Sequence, residues 1–170
     1  MQPLILHGQR VTLRSLTEAD LPCALEILLQ PGVAEWWSGY DIARLGEEAL
    51  GDPTVTTLAV EFEDEMIGIV MFTEVADPYY RSAGIDIALA APRTGLGLGS
   101  DTLRTLARYL FEVRGHHRLT IDPAVDNLRA IAAYRKVGFK PVGVMRAHEK
   151  GPDGTFHDNL AMDMLAEDLR

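Results

Sequence analysis

A run of alternating glycines that leads straight into a helical pattern constrains the fold most. The run is Arg93-Thr94-Gly95-Leu96-Gly97-Leu98-Gly99-Ser100, and the amphipathic stretch 101–113 follows it. Glycine lets backbone amides turn toward one point, and a helix N-terminus adds free N–H groups and the positive end of its dipole. The stretch therefore fits a phosphate-binding loop. The spacing alone also fits an ordinary turn before a helix.

Two common phosphate motifs are excluded. A P-loop needs Gly-Lys-Ser/Thr, whereas Gly99-Ser100 has no lysine. A dinucleotide fingerprint needs its glycines early in a βαβ unit with a distant acidic residue, and that context is missing.

A second motif makes the loop more specific. The segment 122–139 carries Asn127-x-x-Ala130-x-x-x-Tyr134-x-x-x-Gly138-Phe139. Together with the preceding glycine loop and helix, this motif resembles the acetyl-coenzyme A site of the GNAT superfamily of N-acetyltransferases. Further segments are similar to the aminoglycoside 6'-N-acetyltransferases: His7-Gly8, Val11-Thr12-Leu13-Arg14, Glu35-Trp36-Trp37, Gly84-Ile85-Asp86 and Asp122-Pro123.

The resemblance implies a fold and a donor site. The fold is an α/β, mostly antiparallel mixed sheet with helices on both faces, whose central strands ending near Ala90 and Asp122 splay apart. The acetyl-coenzyme A site would comprise Ala88, Leu89, Ala90, Arg93, Thr94, Gly95, Gly97, Gly99, Ser100, Asn127 and Tyr134. Thr94 stands where the superfamily usually has Arg or Gln. Arg93 is the candidate substitute, and otherwise the backbone amides bind the pyrophosphate.

Length and charge narrow the class of protein. We expect one domain, 1–170, because 170 residues can bury a single core. The 16 basic and 25 acidic residues give a net charge of −9, which argues against nucleic acid as a partner. A cationic acceptor fits this charge, as does a generally acidic surface.

Apolar segments and cysteine use indicate where the protein is located. No apolar stretch is long enough to span a bilayer, and Met1–Leu6 lacks signal-peptide features, so we expect a cytoplasmic protein without membrane association. The single cysteine, Cys23, is expected to be a buried or half-buried small hydrophobe in the first helix.

The hydrophobic pattern predicts a strand, two helices, three strands, a helix, a strand, a helix and two strands. In order, these elements are 10–16, 17–29, 42–50, 54–61, 66–74, 83–90, 101–113, 118–121, 127–137, 140–148 and 155–165. The first helix would bury Leu21, Ala24, Leu25, Leu28 and Leu29. Gly68 should mark a bulge or a close approach. The five histidines are interpreted as loop residues, so no metal site is predicted.

Three side chains are candidates for catalysis: Asp86, Asp122 and Tyr134. Asp86 lies between Ile85 and Ile87 in an apolar strand, so it is either solvent-facing or functional. The resemblance carries Tyr134 over as the acid that protonates the leaving thiolate, the alternative being a core tyrosine. A backbone N–H of Ala88 or Leu89 would hold the oxyanion.

The acceptor amine would meet Asp86 and Asp122, which match acidic positions of the aminoglycoside enzymes. They could bind an ammonium group and accept its proton, or only position it, since a carboxylate is a weak base for an amine. Asp122 could also be a simple strand-end turn before Pro123. Trp36 or Trp37 would form a flat wall for a sugar ring, and one of the two should be exposed.

The leading hypothesis is therefore transfer of an acetyl group to a small polycation, most specifically the 6'-amine of an aminoglycoside. The alternative is a protein N-terminal acetyltransferase of the ribosomal-protein type, which an open groove between the early helices and the final hairpin would favour. A non-catalytic acyl-coenzyme A sensor would require a lost acid, and Tyr134 is in place. The oligomeric state is not predicted.

Overall fold

One eight-stranded sheet organises the chain. The structure is a computed structural model that describes residues 3–170. The strands are β1 (Ile5–His7), β2 (Thr12–Ser15), β3 (Val55–Phe62), β4 (Glu65–Val75), β5 (Ser82–Leu89), β6 (Arg118–Ile121), β7 (Lys140–Lys150) and β8 (Phe156–Met164). Their order is β1-β2-β3-β4-β5-β6-β8-β7. Neighbours are antiparallel except β5 and β6, which run parallel. The predicted mixed, mostly antiparallel sheet is confirmed.

Four α-helices connect the strands. They are α1 (Leu21–Leu28), α2 (Ile42–Gly46), α3 (Leu98–Arg108) and α4 (Leu128–Val137). A π-helical turn extends α2 over Glu47–Gly51, and another extends α3 over Tyr109–Val113. Asn127 caps α4, because its side chain accepts a hydrogen bond from the Ala130 amide.

The helices cover both faces of the sheet, because successive strand residues point to opposite sides. On β3 and β4, Leu58 and Val70 belong to the core under α3 and α4, whereas Ala59 and Ile69 belong to the core under α1 and α2. Each face is therefore closed by its own pair of helices.

Asp101, in the first turn of α3, ties that helix to the start of the chain. Its buried carboxylate accepts hydrogen bonds from the amides of Gln9, Arg10 and Val11 at 2.7–3.1 Å. Gly8 permits this contact, since a Cβ there would lie 2.6 Å from the Thr105 hydroxyl oxygen. The N-terminus of α3, and the glycine loop before it, are thereby fixed against the sheet.

Gly68 occupies a close approach beside a bulge, as predicted. The β3–β4 register shifts between Val60 and Glu61, so Val60 faces Gly68 while Glu61 faces Met66. A Cβ on Gly68 would collide with the carbonyl oxygen of Ala88. Glycine therefore allows β4 to lie tightly against the end of β5.

The two parallel strands separate where their pairing ends. The last paired residues of β5 and β6 are Gly84 and Thr120. Asp86 and Asp122 each lie two residues beyond these partners. The expected splay of the central strands is thus present, and it starts directly before both acidic candidates.

Several local predictions are wrong. A short strand, β1, precedes the predicted first strand and was missed. In α1, Leu29 is exposed and Ile27 is buried instead, because the helix ends at Leu28. Cys23 is exposed rather than buried, since its position lies on the outer face of α1.

The histidines are not all loop residues. His7, His148 and His157 lie in strands β1, β7 and β8. His116 is in a loop, but its ring is buried and its Nε2 lies 2.7 Å from the Glu74 carboxylate. The predicted strands 140–148 and 155–165 already contain His148 and His157, whereas strand β1, which contains His7, was missed.

No helix in the described part of the chain is long and apolar enough to cross a membrane. Met1 and Gln2, which belong to the segment used for the signal-peptide prediction, lie outside the described residues.

Candidate active site

A cavity of about 1040 Å³ occupies the opening between β5 and β6. One end is lined by the glycine loop and α4, and we call it the loop end. The other is lined by Asp86, Asp122, the segment 36–40 and the β7–β8 hairpin, and we call it the carboxylate end. The cavity therefore brings together residues from both halves of the sequence.

The loop end is a cradle of backbone amides. Thr94, Gly95, Gly97, Gly99 and Ser100 all line the cavity. Gly95 and Gly97 have φ of 79°, a left-handed conformation that strains residues with a Cβ. Gly97 is the N-cap of α3, so the amides that follow it have no partner within the helix. An anion such as a pyrophosphate fits this arrangement.

Arg93 does not contribute to this cradle, contrary to expectation. Its guanidinium forms an ion pair with Glu65 at 2.7 Å and lies over the ring of Phe62. Instead, Arg129 at the start of α4 lines the cavity and donates a hydrogen bond to the Thr94 hydroxyl at 3.1 Å. The positive charge next to the loop thus comes from a different element.

At the end of β5, the backbone amides of Ala88, Leu89 and Ala90 point in different directions. The Ala90 amide donates to the Ile67 carbonyl at 2.7 Å, so it is not free, and Ala90 does not line the cavity, which corrects that prediction. Amides alternate in direction along a strand, so the Ala88 amide also faces β4 and the Leu89 amide faces the opening. Of Ala88 and Leu89, only Leu89 therefore directs its N–H toward the cavity.

Tyr134 lies in the cavity near the junction of its two ends. The helix α4 presents it there, and its ring packs edge-on against Phe139 at 6.2 Å between centroids. Burial, followed by the negative charges of Asp86 and Asp122, raises the pKa of the Tyr134 hydroxyl well above its usual range. The hydroxyl is therefore protonated at neutral pH.

Asp86 points into the carboxylate end from the part of β5 that pairs with β4 but no longer with β6. Its side chain is open to the cavity, yet the surrounding walls limit its hydration. This desolvation, together with the carboxylates of Asp122, Glu149 and Glu48, raises the pKa of Asp86 to about 6. Several acidic side chains therefore face one another across this end without full neutralisation.

Asp122 is held in place by the final hairpin. The amide nitrogen of Asn159, a buried residue of β8, donates to the Asp122 backbone carbonyl at 2.8 Å and to Glu149 at 3.0 Å. The Nε2 atom of His148 lies 3.2 Å from the Asp122 carboxylate. The side chain of Asp122 is thus part of a polar cluster and lines the cavity.

Both tryptophans line the carboxylate end. Trp36 and Trp37 are each half-buried, so the expectation that one would be exposed is wrong. Tight turns over residues 31–39 replace a regular helix there, and this irregular backbone lets adjacent side chains face the same space. Trp37 packs against Tyr40 at 5.8 Å between ring centroids.

The early segment and the final hairpin touch across the cavity. The Ser38 hydroxyl donates a hydrogen bond to the Lys150 carbonyl at 3.3 Å. Gly39 on one side and Gly151, Pro152 and Gly154 on the other line the same space. The carboxylate end is therefore bridged rather than a continuous open groove.

Sequence reasoning missed several polar residues that line the cavity. They are Arg44, Glu48, Arg129, His148 and Glu149, with Asn159 buried behind them. Arg129 belongs to a motif that was recognised, so its helical position next to Asn127 could have identified it. The others come from α2 and the last hairpin, and only the folded sheet brings them together. Among residues 3–170, no group of three or more His, Cys, Asp and Glu side chains could hold a metal ion.

Comparison with known proteins agrees with this geometry. The model of the Acetyltransferase (GNAT) family matches residues 13–139. Aminoglycoside N(6')-acetyltransferase type 1 of Klebsiella pneumoniae is 34% identical over 164 residues, covering 85% of this chain and 79% of that protein. Spermidine N(1)-acetyltransferase of Escherichia coli K12 is 25% identical over 158 residues, covering 89% and 84%.

Solved structures give the same result. Two structures of AAC(6')-Ib, one with ribostamycin and coenzyme A and one containing acetyl-coenzyme A, are each 30% identical with a TM-score of 0.77. Each alignment covers 94% of this chain and 96% of the other. The chain is therefore an acetyl-coenzyme A dependent N-acetyltransferase that belongs to the GNAT family.

Proposed function

We propose that this enzyme acetylates a primary amine of a small polycationic sugar, most specifically the 6'-amine of an aminoglycoside. The observation that carries the proposal is the set of carboxylates at the cavity end away from the glycine loop. Burial, followed by the negative charges of Asp122, Glu149 and Glu48, raises the pKa of Asp86 to about 6. Such mutual repulsion is relieved when a ligand brings positive charges.

The donor occupies the loop end in this proposal. Backbone amides at the start of α3 bind the pyrophosphate, assisted by Arg129, and Asn127 orients the α4 turn that faces them. The arm of coenzyme A then runs along the splay between β5 and β6. Its reactive end meets the Leu89 amide, which stabilises the oxyanion.

Tyr134 serves as the acid in this proposal. Its raised pKa keeps the hydroxyl protonated, so it can donate a proton to the departing thiolate. Asp86 and Asp122 bind the ammonium groups of the acceptor. Trp36 and Trp37 supply flat apolar surface for its rings.

Two other acceptors are less well supported. A protein N-terminus needs a groove open along its length, whereas the Ser38–Lys150 hydrogen bond bridges the cavity. A linear polyamine fits the carboxylates, and the spermidine-acetylating relative supports that reading. A linear polyamine has no ring to pack against the two half-buried tryptophans, so the tryptophans favour an acceptor that contains rings.

An acceptor panel tests the proposal. Release of free thiol from acetyl-coenzyme A would be followed with kanamycin-like aminoglycosides, spermidine and N-terminal peptides. We expect the highest kcat/KM with aminoglycosides that carry a 6'-amine, and little activity with an analogue that has a 6'-hydroxyl. Preference for spermidine or peptides would refute the aminoglycoside assignment while leaving acetyl transfer intact.

A further inference from the structure

An irregularity in β7 places His148 inside the cavity. Between the pairs Met145–Asn159 and Glu149–His157, β7 advances four residues while β8 advances two. Ala147 lies within this bulge at φ of 47°, a conformation that residues with a Cβ rarely adopt. Its amide donates to the Asp158 carboxylate at 2.7 Å, which holds the strained turn. Backbone strain maintained in this way is typical of functional segments.

The bulge gives His148 a specific neighbour. Its Nε2 atom lies 3.2 Å from Oδ2 of Asp122, and its side chain is 44% exposed and lines the cavity. Asn159 fixes this geometry from behind, since it donates to the Asp122 carbonyl and to Glu149. A histidine is thereby directed to the same space as the two acidic candidates.

Acetyl transfer to an amine requires an acceptor for one proton. An amine that arrives as an ammonium ion has no free electron pair and cannot attack a carbonyl carbon. The reference pKa of an imidazole, about 6.5, lies nearer to that of an amine than does the reference pKa of an aspartate, about 3.9, or the raised pKa of Asp86, about 6. Asp122, 3.2 Å from the ring, suits a different task, which is to orient the imidazole.

We propose that His148 takes the proton of the acceptor ammonium and passes it to solvent, with Asp122 as its positioning residue. In this proposal the proton of the neutral imidazole is on Nε2, which lies 3.2 Å from Oδ2 of Asp122, and the lone pair is on Nδ1. An N–H bond of the ammonium breaks and an N–H bond forms at Nδ1, while the electron pair stays on the amine nitrogen. The proton then leaves through the exposed edge of the ring. This step rests on the proposed acceptor end.

Other charged side chains line the cavity in which the proton transfer would occur. The remaining charged side chains that line the cavity are Arg44 from α2, Glu48 from the π-helical turn that extends α2, Asp86 from β5, Arg129 and Lys136 from α4, and Glu149 and Lys150 from β7. Asp122, from the end of β6, is the carboxylate in contact with the imidazole. The charged groups that line the cavity beside His148 are therefore four acidic and four basic side chains.

The first test is a pH profile of two matched variants. His148→Gln should lower kcat/KM by about 10²-fold near neutral pH, the lower part of the range for a proton-transfer group. The loss should shrink as pH rises, because more acceptor amine is already neutral. His157→Gln, in the same hairpin but paired with Asp153 outside the cavity, should keep wild-type kinetics. If the wild-type rate exceeded the His148→Gln rate by the same factor at alkaline pH as at neutral pH, the proposal would be wrong.

The second test uses chemical rescue. His148→Ala leaves a space that free imidazole can enter, so added imidazole should restore part of kcat, and it should not do so in His148→Gln. Absence of rescue in a folded His148→Ala protein that binds coenzyme A normally would contradict a base role. Both tests use whichever amine on the panel is acetylated best, so a failed aminoglycoside assignment is distinguishable from a failed His148 assignment.

Discussion

Nη1 of Arg129 lies 3.1 Å from the hydroxyl oxygen of Thr94. Thr94 stands where related loops usually carry a longer polar or basic side chain, and Arg129 approaches the same point from α4. Arg93, adjacent in sequence, is instead engaged with Glu65. Proximity in the fold, and not adjacency in the sequence, thus decides which cation can meet a pyrophosphate.

Because Arg129 lines the cavity and Arg93 does not, we expect their substitutions to have different effects. Arg129→Ala should weaken coenzyme A binding by about tenfold, ~1.4 kcal/mol, a modest value because the side chain is exposed and its attraction is screened. Arg93→Ala should leave the affinity unchanged. Titration calorimetry with coenzyme A measures both. If only Arg93→Ala weakened the complex, Arg93 and not Arg129 would be the side chain that binds the pyrophosphate.

The glycine loop should tolerate no β-branched side chain at its N-cap. Gly97→Val forces a residue with a Cβ to hold φ of 79°, which costs about 1–3 kcal/mol or distorts the amide cradle. We expect the affinity for coenzyme A to fall at least tenfold. Gly115→Val is the matched control, since Gly115 has φ of 70° and lies outside the cavity. It should lower thermal stability without changing coenzyme A affinity. Equal affinities for the two variants would remove the loop from the site.

The parts of the site that local sequence encodes were predicted well. A glycine loop before α3, the Asn127 cap and Tyr134 on α4 are contiguous motifs, and each forms through neighbouring backbone groups. The two strands of the β3–β4 hairpin were also predicted, because each is an apolar run. Such features need no knowledge of long-range contacts.

The carboxylate end was predicted only in part because it is assembled from distant segments. Asp86 was noticeable as a charge within an apolar strand. His148 was not noticeable, because a bulge that contains Ala147 at positive φ turns it toward the cavity. No pattern in the sequence predicts that bulge. Glu48 likewise reaches the cavity only through the packing of α2 on the sheet.

Removal of the Tyr134 hydroxyl should affect chemistry rather than donor binding. Tyr134→Phe keeps the ring that packs on Phe139 and deletes the proposed acid. We expect kcat to fall by about 10²-fold or more, with coenzyme A affinity preserved. Because its pKa is raised, the Tyr134 hydroxyl should not produce an alkaline limb near neutral pH.

Tyr109→Phe is the matched control for this substitution. Tyr109 packs edge-on against Phe72 and does not line the cavity. Its loss of a hydroxyl should leave kcat near the wild-type value. If single-turnover measurements gave the two variants the same rate of acetyl transfer, another group would have to protonate the thiolate.

The raised pKa of Asp86 links stability to pH with a definite sign. Folding raises this pKa from 3.8 to about 6, so between these values the folded protein binds more protons than the unfolded chain. The contribution of Asp86 to stability therefore falls as pH rises through this window. Asp86→Asn removes the unfavourable charge and should raise the free energy of unfolding at pH 7 by about 1 kcal/mol. The gain is smaller than the full shift implies, because the side chain is open to solvent.

The same substitution should impair the reaction, and the combination is diagnostic. An ammonium group that loses its carboxylate partner loses about 1.5–3 kcal/mol of charge-assisted hydrogen bonding, so kcat/KM for a polycationic acceptor should fall at least tenfold. Coenzyme A affinity should not change. Asp64→Asn, at the exposed β3–β4 turn, controls for the loss of one negative charge and should alter neither quantity.

Urea unfolding at pH 5 and pH 7, with acceptor kinetics at two salt concentrations, measures every part of this prediction. The stability gain of Asp86→Asn should shrink toward pH 5, where the wild-type carboxyl is largely protonated. Wild-type acceptor binding should weaken with added salt, and the variant should show a smaller salt dependence because one charge contact is gone. A variant that is less stable at pH 7 yet fully active would mean that Asp86 stabilises the fold and does not bind the acceptor.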